Sequence, residues 1–174
     1  IYLLNVYNNI LDDYLKYYKN RHNLERLAVD MSIDEDASKY LRAAYKSGKA
    51  IDSVKAKIME IMPPAIKEKC PYCMLSEPGT FDHYVGKGQF PEYSVLSKNL
   101  VPCCSKCNGK KGEKFLTSNG KRIFISFYFD ELPKNSFLVV ELDIDGAVPY
   151  IKNMYTNSNT GKDIDEIIET HFDE

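Results

Sequence analysis

The sequence predicts an α+β chain in three parts: a helical N-terminal region (1–66), a cysteine-clipped middle segment (67–122), and a β-hairpin plus helix (123–174) expected to pack on that core. Three observations predict this. Apolar residues recur at helical spacing through the first 20 residues. Two Cys-x-x-Cys pairs, Cys70/Cys73 and Cys104/Cys107, bracket the middle. Beyond them, short apolar runs rich in β-formers surround an Asp145-Gly146 turn signal.

Taken in order, Leu3, Tyr7, Ile10, Leu11, Tyr14, Leu15 and Tyr18 form one stripe of a first helix and read as core packing. Asp36–Lys46 reads as a second helix with Gly48 as its stop. Ile51–Met62 reads as a third, ended by Pro63-Pro64. The pattern assigns this region no chemistry. "IFISFYF" (123–129) and "FLVVEL" (137–142) read as β-forming runs, and Asp145-Gly146 joins "FLVVELDI" to "AVPYI" in a hairpin. A polar loop, "NSNTG" (157–161), precedes a last helix faced by Ile164, Ile167, Ile168 and Phe172, with Asp163 as its cap.

The 174 residues are 44% hydrophobic, enough for a packed core, and 28% charged, which excludes disordered and membrane compositions. No apolar run reaches membrane-spanning length, and no signal-peptide pattern opens the chain. The chain starts on Ile and its last helix lacks a stop signal, so both ends read as cuts from a longer natural chain. A net charge of −2 excludes a bulk basic field for nucleic acid. Any such contact must be local. "GKKGEKFLTSNGKR" supplies Lys110, Lys111, Lys114, Lys121 and Arg122 against the single acid Glu113.

Of the five cysteines, two Cys-x-x-Cys knuckles leave Cys103 over. A spare thiol is a liability in an oxidising compartment, and paired knuckles mean metal, so the chain reads as cytoplasmic. Four thiolates from Cys70, Cys73, Cys104 and Cys107 suit tetrahedral Zn²⁺ in a closed structural site with no open position for chemistry. Cys104, not Cys103, has the two-residue spacing to Cys107. Such a site contributes about 10–16 kcal/mol of apparent binding energy to folding.

Between the knuckles lie Asp82-His83, Asn99 in "KNLVPC", and Asn108 in "CSKCNGKKG". In this order, over Cys70 to Gly112, these residues resemble the HNH endonucleases, the ββα-metal nucleases. The resemblance implies a strand ending on the histidine, a loop, a second strand, and a helix carrying the last motif residue. It implies His83 as general base, Asn99 as the residue that pins its loop, and Asp82 and Asn108 as ligands of a catalytic Mg²⁺ or Mn²⁺. Asn108 stands where the family name implies His; this variant resembles the HNH domain of CRISPR effector nucleases and favours a hard, oxygen-preferring ion. Lys110, Lys111 and the N-terminal turn near Cys104 are expected on the phosphate backbone. Imidazole, with a pKa near about 6.5, suits a base at neutral pH. His22 and His171 have no motif partner and read as ordinary satisfied histidines.

Many members of the family carry Pro where this chain has Gly86; with Gly88, that predicts a looser loop. Phe90 and Tyr93 are expected to pack against the metal clip rather than to stack on bases. The implied activity is hydrolysis of DNA by attack of water, leaving a 5′-phosphate and a 3′-hydroxyl. One active site makes one cut, so a double-strand break requires a homodimer or two events. Restriction, homing, phage packaging, toxins and antiphage defence all use such cores. In bacterial defence operons such proteins work beside an ATPase, and the helical region offers a docking surface for one. The rival reading is a catalytically inactive, zinc-stabilised module that binds nucleic acid or protein. A zinc ribbon needs the cysteines but not Asp82, His83 and Asn108.

Overall fold

The computed structural model describes residues 2–46, 48–146, 148–156, 160–161 and 163–173. Residues 157–159 of the expected polar loop, Ala147 of the hairpin, and the side chains of Leu3 and Tyr7 lie outside what is described. The chain is α+β and divides into two compact units, 1–121 and 122–174.

In the first unit, α1 (Tyr2–Lys19) buries Asp13 and Tyr17 with Ile10 and Tyr14 half-buried, a face at helical spacing. Leu11, Leu15 and Tyr18, expected in the core, are exposed. The reason is polar: the Tyr17 hydroxyl donates to Asn99 Oδ1 and the Lys98 carbonyl, both at 3.3 Å, and that pairing fixes which face turns inward. Helix α2 (Glu35–Ala44) starts one position ahead of the sequence expectation, because Asp34 caps it by accepting from the Ala37 N–H at 2.8 Å. Gly48 does not stop α2, which ends at Ala44 with Tyr45 as its C-cap. With φ 135° it opens α3 (Lys49–Ile61). That helix ends before Pro63-Pro64 as expected, and Pro64 starts the short α4 (Pro64–Lys67).

Strand β1 (Thr80–His83) pairs antiparallel with β2 (Leu100–Cys103), His83 opposite Leu100. Helix α5 (Ser105–Lys111) follows directly. Ile51 and Ile58 of α3 cluster with Leu100 of β2, flanked by Tyr45, Val54, Phe81 and Val95. Burying each such aliphatic side chain is worth about 1.5–3 kcal/mol, so α3 is a structural backing for the two strands.

In the second unit, β3 (Leu138–Asp143) and β4 (Tyr150–Thr156) form an antiparallel hairpin with an irregularity at Glu141/Leu142, and α6 (Ile164–Asp173) closes the chain. Residues 123–129 are not a strand. The Asp130 carboxylate accepts the Ser126 N–H at 2.8 Å and pairs with buried Arg122, and Ser126 O accepts from Phe129 and Asp130. These local bonds give the backbone an alternative to a ladder. They also take Arg122 out of the expected basic patch. His171 is a satisfied core histidine, its Nδ1 accepting the Ile125 N–H at 3.3 Å. Among the described residues no helix is long and apolar enough to cross a membrane.

Candidate metal centre and cleft

Cys70, Cys73, Cys104 and Cys107 bring their four sulfurs within 4.8 Å of one another. Tetrahedral Zn²⁺ with bonds of about 2.3 Å needs sulfurs roughly 3.8 Å apart, so the donor set fits a metal ion and is compatible with structural zinc. The first knuckle folds on itself: the Met74 N–H donates to Cys70 O at 2.7 Å, with Met74 at φ 56°. The second uses the start of α5, where the Cys107 N–H donates to Cys104 Sγ at 3.4 Å. One N–H of the turn expected to hold phosphate is thus taken by the clip. Burial pushes the Cys73 thiol up, but backbone N–H groups of Leu75 and Ser76 outweigh this and bring it down to about 7. Cys103 is different: burial pushes its thiol up to about 12, and its near neighbour is the Thr80 hydroxyl.

Beyond the first knuckle, β1 delivers Asp82 and His83, both buried. His83 Nε2 lies 2.9 Å from the Ser94 carbonyl. A carbonyl only accepts, so Nε2 carries the hydrogen and Nδ1 holds the lone pair. Burial first, then the ammonium groups of Lys87, Lys111 and Lys55, push the imidazole down to about 4. The ring is therefore a neutral acceptor at pH 7, but a weaker base than the ordinary histidine value implies.

Asp82 Oδ2 accepts from the Tyr72 hydroxyl at 2.6 Å and from Lys111 Nζ at 3.0 Å. Burial raises the Asp82 carboxyl and the Lys111 charge opposes that rise. Lys111, expected on a phosphate, is 3% exposed and also donates to the His83 carbonyl at 2.9 Å. Lys110 is exposed on α5. Asn108, also on α5, spends its amide nitrogen on Thr80 Oγ1 at 3.0 Å and Phe81 O at 3.4 Å. Its carbonyl oxygen is the end left for the cleft.

Asn99 is fully buried and tied on every side. Its Oδ1 accepts the Val85 N–H at 2.8 Å, and its Nδ2 donates to the carbonyls of Val85 and Tyr93 at 3.0 and 3.1 Å. It holds the loop that presents Ser94 rather than His83 itself. The loop is not loosened by its glycines. A Cβ on Gly86 would meet the Glu113 carbonyl at 2.8 Å, and the Gly88 N–H donates to Glu113 Oε2 at 2.8 Å. Glycine is needed for that close approach. Phe90 and Tyr93 pack with Phe115 and Tyr17 in the core, away from the role expected at the clip.

A cleft of about 560 Å³ joins these parts, lined by Asp82, His83, Asn108 and Glu113 with Tyr45, Lys55 and Lys87. The last three were missed by sequence reasoning. Tyr45 and Lys55 come from the helical region, which carries no motif; the only local signal is an aromatic at the end of a helix.

Glu92 is also buried, and neither carboxylate oxygen meets a donor on another residue. Burial, then the charges of Asp13 and Asp30, push its carboxyl up to about 7. A folded pKa above the unfolded one means that the folded state keeps a proton the unfolded state releases. Stability is therefore expected to fall as pH rises from about 4.5 to about 7, with the full penalty persisting above that. Glu92→Gln is expected to raise stability at pH 8 by about 2–3 kcal/mol and to change little at pH 4. Thermal melting at both pH values checks this; an equal shift at both would remove Glu92 as the cause.

No family model and no solved structure matches the chain. A segment is 44% identical over 50 residues to Protein ea31 of Escherichia phage lambda, covering 28% of this chain and 17% of that protein. Another match, 41% identical over 49 residues, is to Septu protein PtuB of Bacillus thuringiensis, covering 25% of this chain and 19% of that protein. The chain thus spans less than a fifth of the length of each of these relatives.

Proposed function

We propose that the chain is a metal-dependent HNH endonuclease that hydrolyses DNA phosphodiester bonds, with His83 as general base. One observation carries this reading. A neutral imidazole with a free Nδ1 lone pair shares one cleft with the Asp82 carboxylate and the Asn108 amide. The strand, loop, strand and helix that hold them follow the order the HNH resemblance implies.

The donor chemistry suits Mg²⁺ or Mn²⁺, since Asp82 and Asn108 offer hard oxygens and leave the remaining positions to water and phosphate. When bound, that ion supplies Lewis acidity and stabilises the leaving oxygen. The rest is done by the chain. His83 Nδ1 accepts the proton of the attacking water. Ser94 O fixes the ring and its tautomer, and Asn99 fixes Ser94's loop. Tyr72 and Lys111 hold the Asp82 carboxylate in place. The four-cysteine clip anchors α5, and with it Asn108.

Among the biological settings open to such a core, we favour antiphage defence in a bacterium, supported by the segment matched in Septu protein PtuB. A protein partner, such as an ATPase, docking on the helical region belongs to the same reading. The test is a plasmid-nicking assay titrated with Mg²⁺ and Mn²⁺. Brief EDTA is expected to stop cleavage and added divalent ion to restore it without refolding, because thiolate-held zinc survives the treatment. Asp82→Ala and Asn108→Ala are each expected to raise the ion concentration needed. Identical metal dependence in all three proteins would overturn the catalytic-metal assignment and favour the binding module.

A further inference from the structure

Two lysines far apart in sequence converge at the mouth of the cleft. Lys55, on α3, has its ammonium 4.2 Å from the centre of the Tyr45 ring. Lys87, in the loop after β1, has its ammonium 4.6 Å from the same centre. Both are half-buried. Among the described residues, no carboxylate lies within ion-pair distance of either. Glu113 and Asp82 favour the Lys87 charge only from farther away, while Lys46 and Lys55 oppose it.

The platform under them is fixed. The Tyr45 hydroxyl donates to the Phe81 carbonyl at 2.9 Å, and the ring meets the His83 imidazole edge-on, centroids 4.3 Å apart. Tyr45 is therefore in contact with both ammonium groups and with the imidazole. A ring face attracts cations, but two like charges on one ring repel each other and leave both short of counter-charge. An anion bound in the cleft that both lysines line relieves that repulsion. The same cleft holds His83, Asp82 and Asn108, so the anion must lie beside the atoms proposed to react.

We propose that Lys55 and Lys87, presented on the Tyr45 ring, form a phosphate clamp that holds the nucleic-acid backbone next to the scissile phosphodiester. The clamp rests on the nuclease reading for its substrate class, but it is a binding site in its own right. It takes over the role expected of Lys111, whose ammonium is spent on Asp82. It also gives the helical region a share in the site, and it supplies local positive charge to a chain of net charge −2.

The experiment reads binding, not cleavage. The full chain is titrated against a fluorescently labelled duplex DNA without added divalent ion, between roughly 50 and 200 mM salt, and the slope of log affinity on log salt is measured. Lys55→Gln and Lys87→Gln are each expected to lower that slope by about one and the double variant by about two, with Lys55→Arg retaining it. Unchanged zinc content and melting show that the variants are folded. Variants that bind DNA with the wild-type slope overturn the clamp and leave the nuclease reading standing. Loss of inorganic-phosphate competition in the variants, with the DNA slope unchanged, also overturns it, by assigning the lysines to a free phosphate. A wild-type chain that binds no DNA overturns the clamp and the DNA substrate together.

Discussion

Cys107→Ser is expected to produce a protein that neither holds its metal nor stays folded at ordinary temperature, and Cys73→Ser the same. Each removes one of four sulfurs that lie within 4.8 Å of one another. Metal binding to such a site is worth about 10–16 kcal/mol at neutral pH, against a net stability of about 5–15 kcal/mol for a whole domain. The regular structure of the segment is short, β1 and β2 being four residues each and α5 seven, so the metal adds to what α3 and the buried Asn99 supply. Cys103→Ser is the control, since its thiol stands off the cluster and is kept protonated by burial. It is expected to retain full zinc content. Zinc content and thermal melting measured together check this, and a Cys107→Ser protein that loses zinc yet melts like the wild type would show the clip to be dispensable.

His83→Ala is expected to abolish nicking while zinc content and melting stay close to wild type. General-base catalysis is worth about 10²–10⁴ in rate, and no other imidazole lines the cleft. His171 is locked on the Ile125 backbone in the other unit. Asn99→Ala is expected to act on positioning: turnover falls, metal demand shifts little, and melting drops because buried backbone groups of Val85 and Tyr93 lose their partner. A His83→Ala protein that nicks plasmid at the wild-type rate refutes the assignment of the base.

The sequence by itself determined the α+β class, the four cysteines that cluster as a candidate metal site, the hairpin around Asp145-Gly146 and the end of α3 at Pro63-Pro64. Each is written in local spacing: two residues between thiols, a turn dipeptide between β-forming runs, a ring that blocks a helix. Tertiary structure alone decided which face of α1 is buried, because Tyr17 finds Asn99 some 82 residues away. It kept 123–129 out of a strand through Asp130, buried Lys111 on Asp82 29 residues off, and used Gly86 for close approach to Glu113. It also gathered Tyr45, Lys55 and Lys87 around His83. Periodicity reports only neighbours three or four residues apart, whereas a cleft is made by groups that packing brings together, and their charges take their final character only once water has been excluded from between them.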